Sequence, residues 1–316
     1  MKAIGVDLGG SHVMAAAIED GVIKARSEQD ILDRDFELVV KSVAKVIGDV
    51  LCDFKKASGI GIGSPGNVDL ETGEIRYSPN FGWRNAPLGE RLRAEFSLPV
   101  FVANDARCAT LGEYTYGSGR GTRNFVLLTL GTGIGGGIVA EGRLLLGNAA
   151  GAGEIGHHQI RATDGFYCAC GKIGCFEAQA SGTGLIRHAL AVAGSFPRSD
   201  LVSSKREKLG SKAIRKAAEA GDPHGVAAWN CYTADLARGL ANVIAFVNPQ
   251  TIALGGGVSS AGQFMLDAVQ PQVEELTTMV PRGQTRIAIA ELGNDAGAIG
   301  AAEMADRGGI VKVTSA

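Results

Sequence analysis

A repeated pattern of two apolar strands around a glycine-rich turn most constrains how this chain can fold. Residues 2–18 contain an apolar run that ends on Asp7, the turn Gly9-Gly10-Ser11, and a second apolar run. Residues 124–140 repeat this order around the turn Gly131–Gly137. Apolar runs separated by a short glycine turn are typical of β-hairpins. The repeat therefore predicts two related α/β domains that meet at a cleft, each with one such hairpin.

Both turns have the residues that a polyphosphate site needs. Their glycines let backbone amides approach phosphate oxygens, and the carboxylate of Asp7 and the hydroxyls of Ser11 and Thr132 suit Mg²⁺ and phosphate. An ordinary hairpin turn explains each pattern equally well on its own. The glycines 255–257 follow a predicted strand at Thr251–Leu254, and they give a third place where backbone can lie against a nucleotide.

Two further strands are predicted to end in polar or glycine-rich turns. The stretch Gly59–Gly66 is predicted to be a buried strand that runs into a tight turn at Pro65-Gly66, which does not fit a dinucleotide fingerprint. The strand Val100–Val102 is followed by Asn104-Asp105. Ligands bind at the carboxyl ends of strands in α/β sheets, so this pair is a candidate site. A helix is predicted at 106–116, and one of the two residues could instead be its N-cap.

Four residues of zinc-ligand type lie close together in the sequence: His157, Cys168, Cys170 and Cys175. Three thiolates and one imidazole complete the tetrahedral set of a structural zinc site. Glu154 and Glu177 flank this set, and residues 154–177 together form the cysteine box. Because such a zinc site needs no carboxylate, the two acids are candidates to bind another ligand. The alternative is an exposed loop in which the cysteines share no role.

Charge and cysteine content restrict the classes of function. The 316 residues include 31 Lys and Arg and 33 Asp and Glu, a net charge of −2, without the basic stripe of nucleic-acid-binding proteins. Three of the six cysteines lie in the box, a distribution that favours metal binding in a reducing compartment over disulfides. The sequence has no evident signal peptide and no continuous apolar helix of about 20 residues. We therefore expect a soluble, cytoplasmic protein with no nucleic-acid or membrane partner.

The order of helical and strand patterns predicts the domain boundaries. Residues 35–56 have apolar side chains at three- and four-residue steps, the pattern of a long amphipathic helix. We predict a smaller N-terminal α/β domain at 1–118, with a closing helix in 295–316 that packs back on it. A larger α/β domain at 119–294 would carry the cysteine box. The polar segment 197–212 is predicted to be a solvated loop.

Taken in order, these motifs resemble those of the ROK family, the bacterial sugar kinases and sugar-responsive repressors of the actin/hexokinase/Hsp70 superfamily. The resemblance runs from Asp7 to about Glu303. The motifs that carry it are Asp7–Ser11, Gly61–Gly66, Asn104-Asp105-Ala106, Gly131–Gly137, Glu154–His157, Cys168–Glu177 and Gly255–Gly257. The resemblance implies an α/β fold of two ribonuclease H-like (actin-like ATPase) domains around a central cleft.

The resemblance also implies roles for individual residues. Asp105 would be the general base that takes the proton of the sugar 6-hydroxyl. The residues that hold the sugar would be Gly66, Asn104, Glu154, His157 and Glu177. His157 would also complete a structural Zn²⁺ site with Cys168, Cys170 and Cys175. ATP–Mg²⁺ would face Asp7, Gly9, Gly10, Ser11, Thr132 and Gly133, with Gly255, Gly256 and Gly257 near the adenosine.

A few positions depart from the family pattern. Ser11 stands where threonine is usual, and it keeps the hydroxyl but lacks the methyl group. His12 follows it where a polar or basic residue is common. Arg107 closes an Asn-Asp-Ala run that often ends in asparagine.

The resemblance implies an ATP-dependent hexokinase, with glucose as the first expected substrate. Mannose, fructose and N-acetylhexosamines are the alternative sugars, and polyphosphate is an alternative phosphoryl donor. A second functional class is the sugar-sensing regulator, which carries a DNA-binding module before the first hairpin. Here that hairpin begins at residue 2, which favours the kinase. A homodimer or homotetramer working in carbohydrate metabolism, such as glycolysis, is also expected.

Overall fold

The structure, a computed structural model, describes residues 1–203 and 209–310. Its strands are β1 (Lys2–Leu8), β2 (His12–Glu19), β3 (Val22–Asp30), β4 (Ile60–Ser64), β5 (Asn67–Val68), β6 (Ile75–Ser78), β7 (Trp83–Ala86), β8 (Val100–Asn104), β9 (Phe125–Leu130), β10 (Ile134–Ala140), β11 (Arg143–Leu144), β12 (Thr251–Gly255) and β13 (Arg286–Ile289). Its helices are α1 (Phe36–Asp53), α2 (Leu88–Glu95), α3 (Asp105–Tyr116), α4 (Phe176–Ala180), α5 (Gly182–Val192), α6 (Asp200–Ser203), α7 (Ser211–Glu219), α8 (Pro223–Val247), α9 (Gln263–Leu276) and α10 (Ala296–Asp306). In these two ranges, none of the helices has the length and apolar character needed to cross a lipid bilayer.

The described chain forms two compact units. The first contains residues 1–127, 137–153 and the described residues from Glu291 onward, and the second contains residues 128–136 and the described part of 154–290. The predicted domains at 1–118 and 119–294 divide the chain at other points, since residues 137–153 belong with the first unit. Gly137 lies very close to Thr110 of α3. A Cβ atom at position 137 would be 2.2 Å from Thr110 Oγ1, so this close approach requires glycine.

The predicted closing helix corresponds to α10, which packs on β1, β4 and α3 within the first unit. It ends at Asp306, and residues 311–316 of that prediction lie outside the described residues. Glu113 of α3 also binds the chain just before this helix, because its buried carboxylate accepts hydrogen bonds from the amides of Glu291 at 3.1 Å and Leu292 at 2.6 Å. The last helix is therefore an integral part of the first unit.

Alternating side chains give the first sheet two buried faces. Its strand order is β3-β2-β1-β4-β8, with β1 antiparallel to β2 and parallel to β4. Val13, Ala15 and Ala17 of β2 pack in one cluster with residues of α1. Met14, Ala16 and Ile18 pack on the opposite face with residues of α10. A strand buried on both faces explains why this run is apolar throughout.

The parallel strands β1, β4 and β8 end at one edge of this sheet. Asp7 is paired with Gly63, and Ser64 is paired with Asn104. Asn104 is the last residue of β8 and Asp105 is the first residue of α3, so the pair lies at the predicted strand-to-helix junction, although both elements extend further than the predicted 100–102 and 106–116. The side chains that follow these strands are therefore brought to one place, where α/β sheets bind ligands.

Helix α8 is the centre of helix packing in the second unit, where it contacts α4, α5, α7 and α9. It begins after Asp222, whose side chain accepts a hydrogen bond from Gly225 N, and it has Pro223 in its first turn. It ends at Asn248, which has a left-handed φ of 46°. These are common start and stop signals of helices.

The second sheet has the order β11-β10-β9-β12-β13.

Helices α7 and α9 and the small sheet β5-β6-β7 are not predicted from the sequence. In α9, Pro271 removes one backbone donor and crowds the preceding turn, yet the helix continues through it, with Met265, Val269 and Val273 buried. The segment 197–212 is not simply a loop, since α6 and the start of α7 lie in it, and its residues 204–208 are outside the described residues. Strands β5 to β7 span only two to four residues, too few to show a period of two.

Candidate active site

Asn104 and Asp105 have different structural roles at the start of α3. Asn104 is the N-cap, because its Oδ1 accepts a hydrogen bond from Arg107 N at 3.3 Å. Its Nδ2 donates to the carbonyl of Gly66 at 3.1 Å, which joins two predicted sugar ligands. Asp105 Oδ1 accepts from the amide of Ala106 at 2.8 Å. Asn104 thus supplies the N-cap of α3, and Asp105 takes one further amide of its first turn.

Position 66 requires glycine for steric reasons. Its φ of 114° lies in the region that side chains disfavour, and a Cβ atom would lie 2.3 Å from the carbonyl oxygen of Tyr77. The turn after β4 can therefore approach β6 closely. This places the Gly66 carbonyl where Asn104 reaches it.

Asp7 is the predicted Mg²⁺ ligand at the end of β1. Burial and the negative charge of Asp105 raise its pKa to about 6, while His12 acts in the opposite direction. Two carboxylates close to each other in a partly buried place are costly without a cation. This arrangement therefore suits a site that receives a positive ion together with its ligand.

A cavity of about 450 Å³ lies beside the first glycine turn, and Asp7, Gly9, His12, Arg26, Glu28 and Asp295 are among its lining residues. Gly9 N donates to the carbonyl of His12 at 2.8 Å and closes the turn that contains Gly10 and Ser11. Arg26 donates to Asp295 at 3.1 Å, and His12 Nδ1 lies 3.2 Å from an oxygen of Asp30. Arg26 and His12 beside this cavity therefore each lie next to an acidic side chain.

The second unit brings the other two glycine stretches together. The carbonyl of Gly131 accepts from the amide of Gly182 at 2.8 Å, and that of Thr132 accepts from Thr183 Oγ1 at 2.8 Å. Gly256, with φ of 84°, lies so close to Leu130 that a Cβ atom would be 2.6 Å from its carbonyl oxygen. Thr132-Gly133 and Gly255–Gly257, all predicted to face the nucleotide, therefore lie on neighbouring turns.

The four zinc-ligand residues are gathered into one cluster. One ligand atom from each of His157, Cys168, Cys170 and Cys175 lies within 4.8 Å of every other. Cys168 Sγ is 3.7 Å from His157 Nδ1, and Cys170 Sγ is 3.6 Å from Cys175 Sγ. A tetrahedral zinc ion with bonds of about 2.3 Å to sulfur separates its ligand atoms by about 3.7 Å. The cluster thus has the donor set and the size of a structural zinc site.

His158, the neighbouring histidine, has a different environment. Its Nδ1 donates to the carbonyl of Ile155 at 2.6 Å, and its ring lies 5.2 Å from that of Phe176. Desolvation lowers its pKa, with the hydrogen bond to Ile155 acting in the opposite direction. Among the described residues His157 is therefore the histidine in the cluster, as the sequence analysis expects.

Glu177 links the cysteine box to the second glycine turn. Its Oε2 accepts a hydrogen bond from the amide of Ile134 at 3.0 Å, and its Oε1 lies 3.7 Å from Cys168 Sγ. Gly133 passes so close that a Cβ atom would lie 2.4 Å from Glu177 Oε2. Glu154 precedes the short 3-10 turn Ile155–His157, and its carbonyl accepts from His157 N at 3.1 Å.

A buried ion cluster that the sequence analysis misses anchors the cysteine box. Asp235 of α8 is fully buried, and it accepts hydrogen bonds from Arg161 at 2.9 and 3.0 Å. Arg238 also donates to it, and His188 Nε2 lies 3.3 Å away. Arg161 N in turn donates to the carbonyl of Gly174 at 3.2 Å, next to Cys175. In the sequence, the signal for this cluster is Asp235, an acidic residue between buried positions of the largely apolar helix α8.

Comparisons with known proteins agree on one family. The model of the ROK family matches residues 3–307. The chain belongs to the ROK family. The glucokinase of Halalkalibacterium halodurans is 38% identical over 305 residues, which cover 94% of this chain and 92% of that protein. The glucokinase of Thermotoga maritima is 37% identical over 310 residues, which cover 96% of this chain and 97% of that protein.

A solved structure of the ROK family matches the fold over nearly the whole chain. The ROK glucokinase of Streptomyces griseus, determined in complex with glucose and AMPPNP, gives a TM-score of 0.84 at 31% identity. The match covers 98% of this chain and 100% of that protein. This ROK protein therefore has the α/β fold of the actin-like ATPases with two domains, which confirms the fold class predicted from the sequence.

Proposed function

We propose that this ROK protein is an ATP-dependent hexokinase that phosphorylates the 6-hydroxyl of glucose. The two bacterial glucokinases that match nearly the whole chain support this activity. The matching S. griseus structure, in complex with glucose and AMPPNP, supports glucose and ATP as the substrate pair. The observation that carries the proposal at residue level is the position of Asn104 and Asp105 beside Asp7, at the carboxyl edge of the first sheet.

Phosphoryl transfer asks a protein mainly for positioning, charge neutralisation and one base. Asp105 would accept the proton of the 6-hydroxyl as its oxygen attacks the γ-phosphorus, and Asn104 would donate a hydrogen bond to the sugar. Glu154, His157, Glu177 and Gly66 would complete the sugar site. Mg²⁺ bound with ATP would supply positive charge to the phosphates, and Asp7 is the carboxylate that would face it.

The glycine turns would bind the nucleotide. Gly9, Gly10 and Ser11 would offer backbone amides and a hydroxyl to the phosphates, as would Thr132 and Gly133. The glycines 255–257 would lie near the adenosine. Backbone amides in tight turns suit this role because they present fixed partial positive charges to phosphate oxygens.

We further infer that His157, Cys168, Cys170 and Cys175 hold a structural Zn²⁺. The donor set and the 3.6 and 3.7 Å separations support this inference. The ion would have no part in phosphoryl transfer. It would fix the ring of His157 and the segment that leads from Cys175 into Glu177; His157 and Glu177 are both proposed sugar ligands.

A spectrophotometric assay of ADP formation tests the proposed function. The purified protein, with Mg²⁺ and ATP, is offered glucose, mannose, fructose, N-acetylglucosamine and N-acetylmannosamine, and then glucose with polyphosphate as the donor. We expect the highest kcat/KM for glucose with ATP, and ADP formation slowed by about 10²–10⁴ with Asp105→Asn. A protein that forms ADP with none of the hexoses would refute the proposal. The cytoplasmic location, the homodimer or homotetramer and the role in glycolysis stay predictions.

A further inference from the structure

We propose that Arg107 is a positioning residue that fixes the Asn104 amide as a hydrogen-bond donor and so helps to set which sugar hydroxyl the enzyme requires. The proposal rests on the proposed hexokinase activity and adds to it a determinant of sugar specificity. Arg107 lies in the first turn of α3, two residues after the proposed base, and its side chain is 5% exposed. A buried arginine this close to a reaction centre needs a reason, because burial of its charge is costly unless it makes good hydrogen bonds.

Asn104 and Ala152 are among the hydrogen-bond partners of the Arg107 guanidinium. One nitrogen donates to Asn104 Oδ1 at 3.0 Å, and the other donates to the carbonyl oxygen of Ala152. The bond to Asn104 is charge-assisted, and it adds to the bond from the backbone amide of Arg107 to the same oxygen. Two donors therefore converge on the oxygen of the Asn104 amide.

These contacts decide how the Asn104 amide is oriented. With its oxygen toward Arg107, the amide nitrogen points to the carbonyl of Gly66, 3.1 Å away. The reversed orientation would place the amide NH₂ group against the guanidinium N–H groups, and its oxygen against the oxygen of Gly66. Donors would then face donors, and an acceptor would face an acceptor. Arg107 therefore excludes that orientation.

An amide nitrogen has two hydrogens, and the carbonyl of Gly66 accepts one of them. The other is available to a substrate, whereas the oxygen is already taken up by two donors on Arg107. The sugar hydroxyl that meets Asn104 must therefore act as an acceptor there, and its own proton is directed to another group. This requirement is stricter than that of a freely rotating asparagine, which can either donate or accept.

The second bond of Arg107 holds a strained segment of the same unit. Residues 147–153 contain Ala149 and Ala150, with φ of 51° and 56°, a conformation that non-glycine residues seldom adopt. Arg76 donates to the carbonyl of Ala149 at 3.3 Å, and Arg107 donates to that of Ala152. Glu154, another proposed sugar ligand, follows two residues later in the sequence. Arg107 therefore joins the Asn104 amide to the segment that leads into Glu154.

The test measures kcat/KM for glucose and for 1-, 2-, 3- and 4-deoxyglucose. Asn104→Ala first shows which hydroxyl Asn104 binds, because the penalty for the corresponding deoxy sugar should largely vanish in that variant. In the wild type we expect this penalty to be about 5- to 150-fold, the cost of leaving one buried donor unpaired. In Arg107→Met the oxygen of Asn104 keeps only the backbone donor of residue 107 and loses the charged one, so the amide is held less firmly and the same penalty should shrink at least about threefold. The penalties at the other positions should stay within about twofold of their wild-type values.

Arg93→Met is the matched control. Arg93 is an exposed arginine of the first unit, and it donates to Val100 O at 3.1 Å and Thr72 O at 2.7 Å. It should leave all four deoxy penalties unchanged. Should Arg107→Met fail to fold, Arg107→Lys keeps the charge but lacks the planar fork, and it should reduce the same penalty at least threefold.

The outcomes separate the two levels of the proposal. A wild type that phosphorylates no hexose refutes the proposed function itself. A wild type that phosphorylates glucose refutes only the Arg107 inference if Arg107→Met lowers kcat/KM equally for every sugar, as a merely structural arginine would. The inference is also wrong if Asn104→Ala changes no deoxy penalty. We predict that Asn104→Ala and Arg107→Met both reduce the penalty for the same deoxy sugar.

Discussion

Replacing Asp235 by asparagine should loosen the cysteine box and destabilise the second unit. Asp235 is fully buried, and three charged or titratable partners surround it: Arg161, Arg238 and His188. Burial alone would raise the pKa of Asp235, but the hydrogen bonds from His188 and Arg161 outweigh it and hold the pKa below the ordinary value. Asp235 is therefore ionised at neutral pH, and its charge is what keeps Arg161 in place.

The structure also sets the size of the effect. Removing one partner of a buried ion pair typically costs about 3–5 kcal/mol. Asparagine still accepts one hydrogen bond, and the Arg161 side chain is 25% exposed and can partly reach water. We therefore expect a loss near the lower end, about 3 kcal/mol, or roughly 6 °C in Tm at about 2 °C per kcal/mol. A carboxyl group with a lowered pKa stabilises the fold above its unfolded pKa, so the loss should persist from pH 7 down to about pH 5.

The same arginine supplies a matched control. Arg161 also pairs with Asp164 at 2.7 Å, but that side chain is 68% exposed. Asp164→Asn should cost less than about 1 kcal/mol, because solvent screens an exposed pair. Calorimetry of the two variants gives the comparison, and the rate of zinc transfer to a chromophoric chelator reports on the box. Equal and small shifts in Tm for both variants would refute the reasoning.

The remaining predictions concern the reacting groups. Asp105→Asn should lower kcat by about 10²–10⁴ with little change in Tm, and near-normal turnover would remove Asp105 as the base. Elemental analysis should find about one zinc per chain, and Cys168→Ser should raise the KM for glucose more than the KM for ATP; a metal-free preparation with full activity would contradict this. Because the pKa of Asp7 is raised to about 6, its ionised form destabilises the ligand-free fold as pH rises through 6. Asp7→Asn should therefore raise the stability of the ligand-free protein by up to about 3 kcal/mol at pH 8 but not near pH 3.5, and an equal gain at both values would refute the cause.

Local patterns predict much of this fold because they reflect local physics. The hairpin at residues 2–18, the strand end at Asn104 and the four zinc-ligand residues are all visible as residue types at short spacing. In contrast, Arg161 and Asp235 lie 74 positions apart, and nothing local pairs them. The role of Arg107 is likewise hidden, because the bond that orients Asn104 depends on how a side chain lies and not on a motif.

Packing between distant segments explains other features that local patterns do not reveal. Helix α9 contains Pro271, and its core-facing residues Met265, Val269 and Val273 are buried against other elements. The assignment of residues 137–153 to the first unit depends on the close approach of Gly137 to Thr110. Both depend on tertiary contacts that override local preference, which a single sequence does not reveal.

The position of the transferred phosphoryl group tests the central claim most directly. The wild-type protein is incubated with Mg²⁺, ATP and uniformly ¹³C-labelled glucose, and the product is analysed by ³¹P and ¹³C NMR. The account predicts one product, with phosphorus coupled to carbon 6 and formed in equal amount to ADP, and formation of that product about 10²–10⁴ times more slowly with Asp105→Asn. Phosphate on another carbon of the sugar, or ADP formed without any sugar phosphate, would contradict it.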